Sequence, residues 1–280
     1  MISQRLHVGI STCPNDTYTF HGLLARESDA GGLAFEFELL DVQTLNERWL
    51  AGEFDIAKTS FAAALSAAEH SLVLPVGAAL GRGVGPVVLA RPGARSADPR
   101  VLAPGEHTTA TLLWRVLHPG CGELRQVVFS EIMPALARGA ADLGVCIHEG
   151  RFTYQQHGLE LVEDLGASWE RSTGCALPLG GLLARRTLAP ASIARAARAI
   201  GASLDFARAH PERALSSMRR HAQEHSDEVL WQHVELYVTD ETRALSADGR
   251  RALAELARRA RAAGLTPAER PLQVWAPLQD

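Results

Sequence analysis

Leu6-His7-Val8-Gly9-Ile10 runs into Ser11-Thr12-Cys13-Pro14-Asn15-Asp16-Thr17, and this junction sets the architecture: an apolar run that reads as a strand gives way to hydroxyl and amide side chains just as a helical pattern begins. A strand that stops in polar residues where a helix starts is the opening of a βαβ unit, and the carboxyl edge of such a sheet is where ligands usually bind. Working outward, spans 34–39, 55–58 and 71–76 read as further strands or buried extended segments, with helical patterns at Leu23, Leu45, Leu50 and 62–68 between them. The alternation predicts a mostly parallel sheet.

The glycine-rich turn over 81–91 ends in Arg91-Pro92-Gly93, which reads as a boundary. Beyond it, 101–102, 126–129 and 142–147 read as strands and 108–117 and 131–138 as helices, a second α/β unit. Leu177-Pro178-Leu179-Gly180-Gly181-Leu182-Leu183-Ala184 reads as an extended crossing back, followed by helical spans at 191–209, 211–221, 227–237 and 246–263. The expected division is residues 1–90 as the first part of one lobe, 91–185 as an inserted second lobe, and 186–280 as a helical part completing the first. Two crossings make a hinge and a cleft.

The 280 residues suffice for two ordinary cores. A net charge of −4, with 28 basic and 32 acidic residues dispersed along the chain, argues against nucleic acid as a partner. No apolar run approaches the roughly 20 residues of a membrane helix, and the N-terminus lacks the apolar region of an export signal. Cys13, Cys121, Cys146 and Cys175 are too few and too scattered for a disulfide framework, so a cytoplasmic location is expected.

Several segments could carry chemistry. Asn15 and Asp16 either face a ligand at the sheet edge or cap the following helix. Lys58-Thr59-Ser60 ends a strand and Thr108-Thr109-Ala110 opens a helix, so each offers hydroxyls and N–H groups to an anion or simply caps. Cys13, near a helix start, could be a nucleophile, but no partner base is set by the sequence. In Asp142-Leu143-Gly144-Val145-Cys146-Ile147-His148-Glu149-Gly150, period two places Cys146 and His148 on one face, with Glu149 on the other. A histidine at such a strand terminus suits general-base work or is merely hydrogen-bonded. His221-Ala222-Gln223-Glu224-His225 matches a zinc pattern but reads as an exposed helix end, and Gly81-Arg82-Gly83-Val84-Gly85-Pro86 lacks the last glycine of a dinucleotide fingerprint.

In order, residues 11–17, residues 81–86, Thr108-Thr109-Ala110, Phe129-Ser130-Glu131-Ile132-Met133-Pro134-Ala135, His148-Glu149-Gly150-Arg151-Phe152-Thr153-Tyr154, Pro178-Leu179-Gly180-Gly181 and His233-Val234-Glu235-Leu236-Tyr237-Val238 resemble the 1,4-dihydroxy-6-naphthoate synthases of the futalosine route to menaquinone. The resemblance covers nearly the whole chain. It implies a two-lobed α/β fold of the periplasmic-binding-protein-like (type II) class with a central cleft. It also implies a carbon–carbon lyase that converts cyclic dehypoxanthine futalosine, a small-molecule carboxylate, to 1,4-dihydroxy-6-naphthoate without metal or organic cofactor. His148 matches the family's proton acceptor, and Lys58, Thr59, Ser60, Thr109 and Ala110 match its substrate contacts, with Asn15, Asp16 and Thr108 added from the adjoining loops. Tyr18-Thr19 departs from the apolar pair more usual there. Two alternatives share the fold: a chorismate dehydratase-type enzyme and a non-enzymatic protein that binds small anions. Protein partners are not legible in the sequence.

Overall fold

The computed structural model describes residues 4–94, 96–148, 150–222, 226–266 and 271–276. Its strands are β1 (Gln4–Ser11), β2 (Leu33–Leu40), β3 (Ile56–Ser60), β4 (Ser71–Val73), β5 (Ala79–Gly81), β6 (Val87–Ala90), β7 (Arg100–Ala103), β8 (Glu123–Gln126), β9 (Leu143–Cys146), β10 (Glu160–Asp164) and β11 (Leu177–Arg185). They form two sheets, one ordered β2-β1-β3-β11-β4 with β5 also on β11, the other β10-β6-β9-β7-β8.

In the first sheet β1 pairs in parallel with β2 and β3, as the alternating pattern predicts. The expectation of a mostly parallel sheet needs correcting, because β11 runs antiparallel to β3, β4 and β5. The helix Leu165–Thr173 leads into β11, which begins at the cleft where β1 and β3 end, so it runs away from the cleft and against them. Gly180 and Gly181 make this return possible: a Cβ on Gly180 would sit 2.6 Å from the Thr59 carbonyl oxygen, and one on Gly181 2.7 Å from the Phe61 ring.

Strand membership also moves both crossings relative to the sequence boundaries. Val87–Ala90, assigned to the first part of the chain, pairs with β9 and β10 in the second sheet. Leu177–Arg185, assigned to the inserted part, belongs to the first. The Pro and Gly at 92–93 mark an ordinary turn after β6, whereas the crossing lies at 83–86, where Gly83 (φ 67°) and Gly85 (φ 130°) adopt backbone angles unfavourable to other residues. The strand expected at 126–129 ends at Gln126, and Phe129 opens the helix Phe129–Ala137.

The C-terminal helices Pro190–Ala209, Pro211–His221, Asp227–Tyr237 and Ala247–Ala262 follow the expected spans closely. Ile193, Ala196, Ile200 and Leu182 pack with Leu6, Val8 and Ile10 of β1, so the chain's two ends build one core. In the second sheet, Val87 and Leu89 of β6 pack separately against Ile132 and Leu136. No helix among the described residues is long and apolar enough to cross a membrane.

Candidate active site

The carboxyl ends of β1 and β3, the start of β11, and the loops after β7 and β9 meet around one cleft. Asn15, Asp16, Lys58, Thr59, Ser60, Thr108, Thr109, Ala110 and His148 all line it. Every site residue named from the sequence is therefore brought to one place.

Their roles differ from simple capping. Cys13 holds the N-cap position of the helix Pro14–Thr19 without a side-chain cap bond. The Asp16 carboxylate instead accepts hydrogen bonds from Ser11 N (3.2 Å), Ser11 Oγ (2.6 Å), Asn15 Nδ2 (2.9 Å) and Lys58 Nζ (2.6 Å). Lys58 also donates to the Gly77 carbonyl at 2.9 Å, so a buried ion pair ties β3 to the first loop.

Ser60 starts the next helix but does not cap it. Its hydroxyl accepts from Asn46 Nδ2 at 3.1 Å, and its N–H donates to Asn46 Oδ1 at 2.8 Å. The same Asn46 amide donates to the His107 carbonyl at 3.1 Å, joining the two sides of the cleft. Thr108 does cap, accepting from Thr111 N, and Thr109 Oγ1 donates to the Leu179 carbonyl at 2.6 Å. Thr59 Oγ1, fully buried, finds no hydrogen-bond partner among the described residues.

The strand β9 stops at Cys146, so the period-two argument for His148 fails. Cys146 lies in the core with its thiol pushed up to about 12 by burial, while His148 has turned out of register with φ 54°. Positive φ in a non-glycine residue is uncommon and costs energy, and such residues concentrate at functional sites. The left-handed turn brings the imidazole beside Cys13: Nδ1 lies 3.2 Å and Nε2 3.7 Å from the thiol sulfur. The partner that the sequence did not supply for Cys13 is thus His148, packed edge-on against Phe129 at 4.9 Å between ring centroids. Glu149, expected on the opposite face, and Gln223-Glu224-His225 of the zinc-like pattern lie outside the described residues; among those described, no cluster suits a metal ion.

Sequence reasoning missed Asn46, His233 and Tyr237. His233 and Tyr237 line the cleft from the helix Asp227–Tyr237. Its buried stripe is Leu230, His233, Val234 and Tyr237, the spacing of a core-facing helix. A histidine in that stripe was the available signal. His233 is wholly buried, and desolvation holds its pKa well below the ordinary 6.5, with the charges of His148 and Lys58 acting in the same direction. Its ring stacks on His148 at 6.1 Å, and Nε2 is 3.0 Å from Asn15 Oδ1.

Comparison with known proteins agrees with this geometry. The menaquinone biosynthesis family matches residues 6–262. A 1,4-dihydroxy-6-naphthoate synthase of Thermus thermophilus is 43% identical over 97% of this chain and 100% of its own length. The Streptomyces coelicolor enzyme of the same name is 40% identical over 97% and 98%. Among solved structures, an Archaeoglobus fulgidus protein superposes with a TM-score of 0.89 at 29% identity, covering 95% of this chain and all of the other. The alkanesulfonate-binding protein SsuA of Xanthomonas axonopodis gives a TM-score of 0.71 at 13% identity over 97% and 98%, a likeness of fold in the periplasmic-binding-protein class.

Proposed function

Because the chain belongs to the menaquinone biosynthesis family, among its 1,4-dihydroxy-6-naphthoate synthases, which are lyases, we propose that its cleft takes cyclic dehypoxanthine futalosine and that His148 starts the reaction as a general base. The observation that carries this reading is the left-handed turn at His148, which delivers an imidazole into the cleft beside the β1 loop at the cost of backbone strain.

For the base to work, one ring nitrogen must keep its lone pair. Sulfur is a weak acceptor, so an Nδ1–H directed at Cys13 Sγ leaves Nε2 unprotonated for the substrate. His148 then takes a proton from a carbon next to a carbonyl, and the C–H electron pair moves to the carbonyl oxygen as an enolate. Collapse of the enolate re-forms the carbonyl and breaks the bond to an oxygen substituent on the β-carbon, which leaves with the electron pair and takes back the proton from His148; carbon–carbon cleavage then releases the sugar-derived carbons, and aromatisation of the remaining ring drives the sequence.

The chain's own groups supply the rest. Thr59 Oγ1 has a proton with no partner among the described residues and can donate to the developing oxyanion. The hydroxyls of Thr108 and Thr109 are already engaged, so for a substrate carboxylate this segment offers the first N–H groups of the helix Thr109–Leu117. The two sheets act as two lobes, one carrying His148 and residues 108–110, the other residues 15–16 and 58–60. Their closure excludes water and completes the constellation.

Purified protein incubated with the cyclic futalosine derivative should release 1,4-dihydroxy-6-naphthoate, detected by mass spectrometry, and should leave chorismate unchanged. His148→Asn should lose about 10²–10⁴-fold in kcat while keeping its fold by circular dichroism. Full turnover by that variant overturns the assignment of the base; return of both compounds unchanged by the wild-type protein overturns the activity.

A further inference from the structure

The buried side chains behind the cleft form a chain of hydrogen bonds whose direction has only one solution. The Asp16 carboxylate accepts only, and Lys58 donates to its Oδ1 at 2.6 Å. Asn15 must therefore present Nδ2 to Asp16, as it does at 2.9 Å, which turns its Oδ1 towards His233. An amide oxygen also accepts only, so the proton of the neutral His233 ring sits on Nε2, 3.0 Å away. Nδ1 is left with a bare lone pair, buried and without a hydrogen-bond partner among the described residues, in a side chain that lines the cleft.

The environment keeps it so. Desolvation, reinforced by the charges of His148 and Lys58, disfavours a second proton on His233. A buried acceptor with no donor is costly unless a ligand supplies one.

We propose that His233 is a specificity-determining residue whose Nδ1 accepts a hydrogen bond from a hydroxyl of the substrate. This rests on the reading of the cleft given above and sharpens it: a lone pair locked in place binds a donor and repels a carbonyl or carboxylate oxygen at the same spot. Polarity along the Lys58, Asp16, Asn15 and His233 chain thus selects which end of the substrate lies against the helix Asp227–Tyr237. The carboxylate is directed elsewhere, and a hydroxyl of the sugar-derived part is placed here. A site built to receive a hydroxyl discriminates strongly against analogues that lack it.

The free protein tests the tautomer. With ¹⁵N-labelled histidine, the His233 ring should show one protonated nitrogen, Nε2, and one bare nitrogen, Nδ1, from about pH 8 down to its ordinary pKa of about 6.5. A proton on Nδ1 overturns the proposal, whatever the substrate is. Substrate contact is tested in a His148→Asn background, where the cyclic futalosine derivative binds without turnover: its addition should move the Nδ1 resonance towards a hydrogen-bonded value and leave Nε2 in place. An unmoved Nδ1 at saturation, with the substrate shown to bind by calorimetry, overturns it too.

His233→Gln in the otherwise native enzyme keeps an N–H for Asn15 and deletes the Nδ1 acceptor. It should raise KM about tenfold with kcat changed by less than about threefold. An unchanged KM in a variant that melts normally overturns the inference while leaving the lyase activity and the His148 assignment standing. Absence of turnover in the wild type overturns the functional reading while the tautomer measurement still decides the state of His233.

Discussion

Removal of the Asp16 carboxylate is the most informative perturbation of the cleft, because it exposes how much of the site's rigidity depends on one buried ion pair. Asp16 is 1% and Lys58 7% exposed. In Asp16→Ala the Lys58 ammonium keeps only its bond to the Gly77 carbonyl at 2.9 Å, and Ser11 and Asn15 lose an acceptor. Stripping one partner from a buried pair costs about 3–5 kcal/mol, since the other charge stays in a low-dielectric setting. For a chain of this size that is a fall of roughly 6–20 °C in melting temperature. Lys58→Met alone should cost less, about 2–3 kcal/mol, because Asp16 keeps three donors. The double variant Asp16→Ala/Lys58→Met no longer buries a lone charge and should melt above Asp16→Ala, although it carries one more substitution. Differential scanning calorimetry of all four proteins reads the cycle. If the two single losses add to within about 0.5 kcal/mol in the double variant, the ion pair is not what holds this loop and the reasoning fails.

Two further outcomes follow from the same geometry. The depressed pKa of His233 means that above its ordinary value of 6.5 the ring is neutral in both folded and unfolded chains, whereas below it the unfolded chain binds a proton that the folded one refuses. Stability should therefore fall as pH drops below about 6.5, by up to about 1.4 kcal/mol per pH unit from this group, and His233→Gln should flatten that part of the melting-temperature profile; His148, Lys58, Tyr237 and, through Asn15, Asp16 face the ring and remain in both proteins. An unaltered slope in the variant contradicts the buried neutral state. Arg151 donates to the carbonyls of Gly83 and Gly85, each at 3.1 Å, and pairs with Asp164 at 2.5 Å, tying the segment after His148 to the crossing that lines the cleft. Arg151→Lys keeps the charge but loses the fork, and kcat/KM should fall about tenfold with little change in melting temperature; steady-state kinetics at wild-type values would show that this tie does not position the site.

The fold was readable where a residue's neighbours in sequence determine its surroundings. The apolar run ending at Ser11, the polar termini at Ser60 and Thr108, and the long helices at Pro190–Ala209 and Ala247–Ala262 are local patterns, and each lies where its pattern puts it. The direction of β11 was not readable, because Leu177–Arg185 has the same apolar run whether it returns parallel or antiparallel; what decides it is that the strand enters the first sheet from the cleft side, and that is a property of the path. The boundary at 92–93 was misleading for the same reason: Pro and Gly mark turns, and a turn between strands of one sheet looks like a turn between sheets.

The site shows the division more sharply. His148, Lys58 and Thr108 stand at or just beyond the ends of recognisable elements, so position made them candidates and the family resemblance gave His148 and Lys58 their roles. Cys13 and His148 are 135 residues apart, and His233 reaches Asn15 across 218, so neither contact leaves a mark in any local window. His233 sat inside a helix that was correctly expected, yet its spacing with Leu230, Val234 and Tyr237 made it look like one more core position. What distinguishes it is chemistry against pattern: an imidazole on an apolar stripe must find a polar partner on the facing element or pay for its burial. Among the described residues it finds one, Asn15, with one nitrogen only. The unmatched nitrogen is the residue's contribution to the cleft, and it exists because the Asp16–Lys58 pair, itself far along the chain from helix Asp227–Tyr237, leaves Asn15 no other way to point.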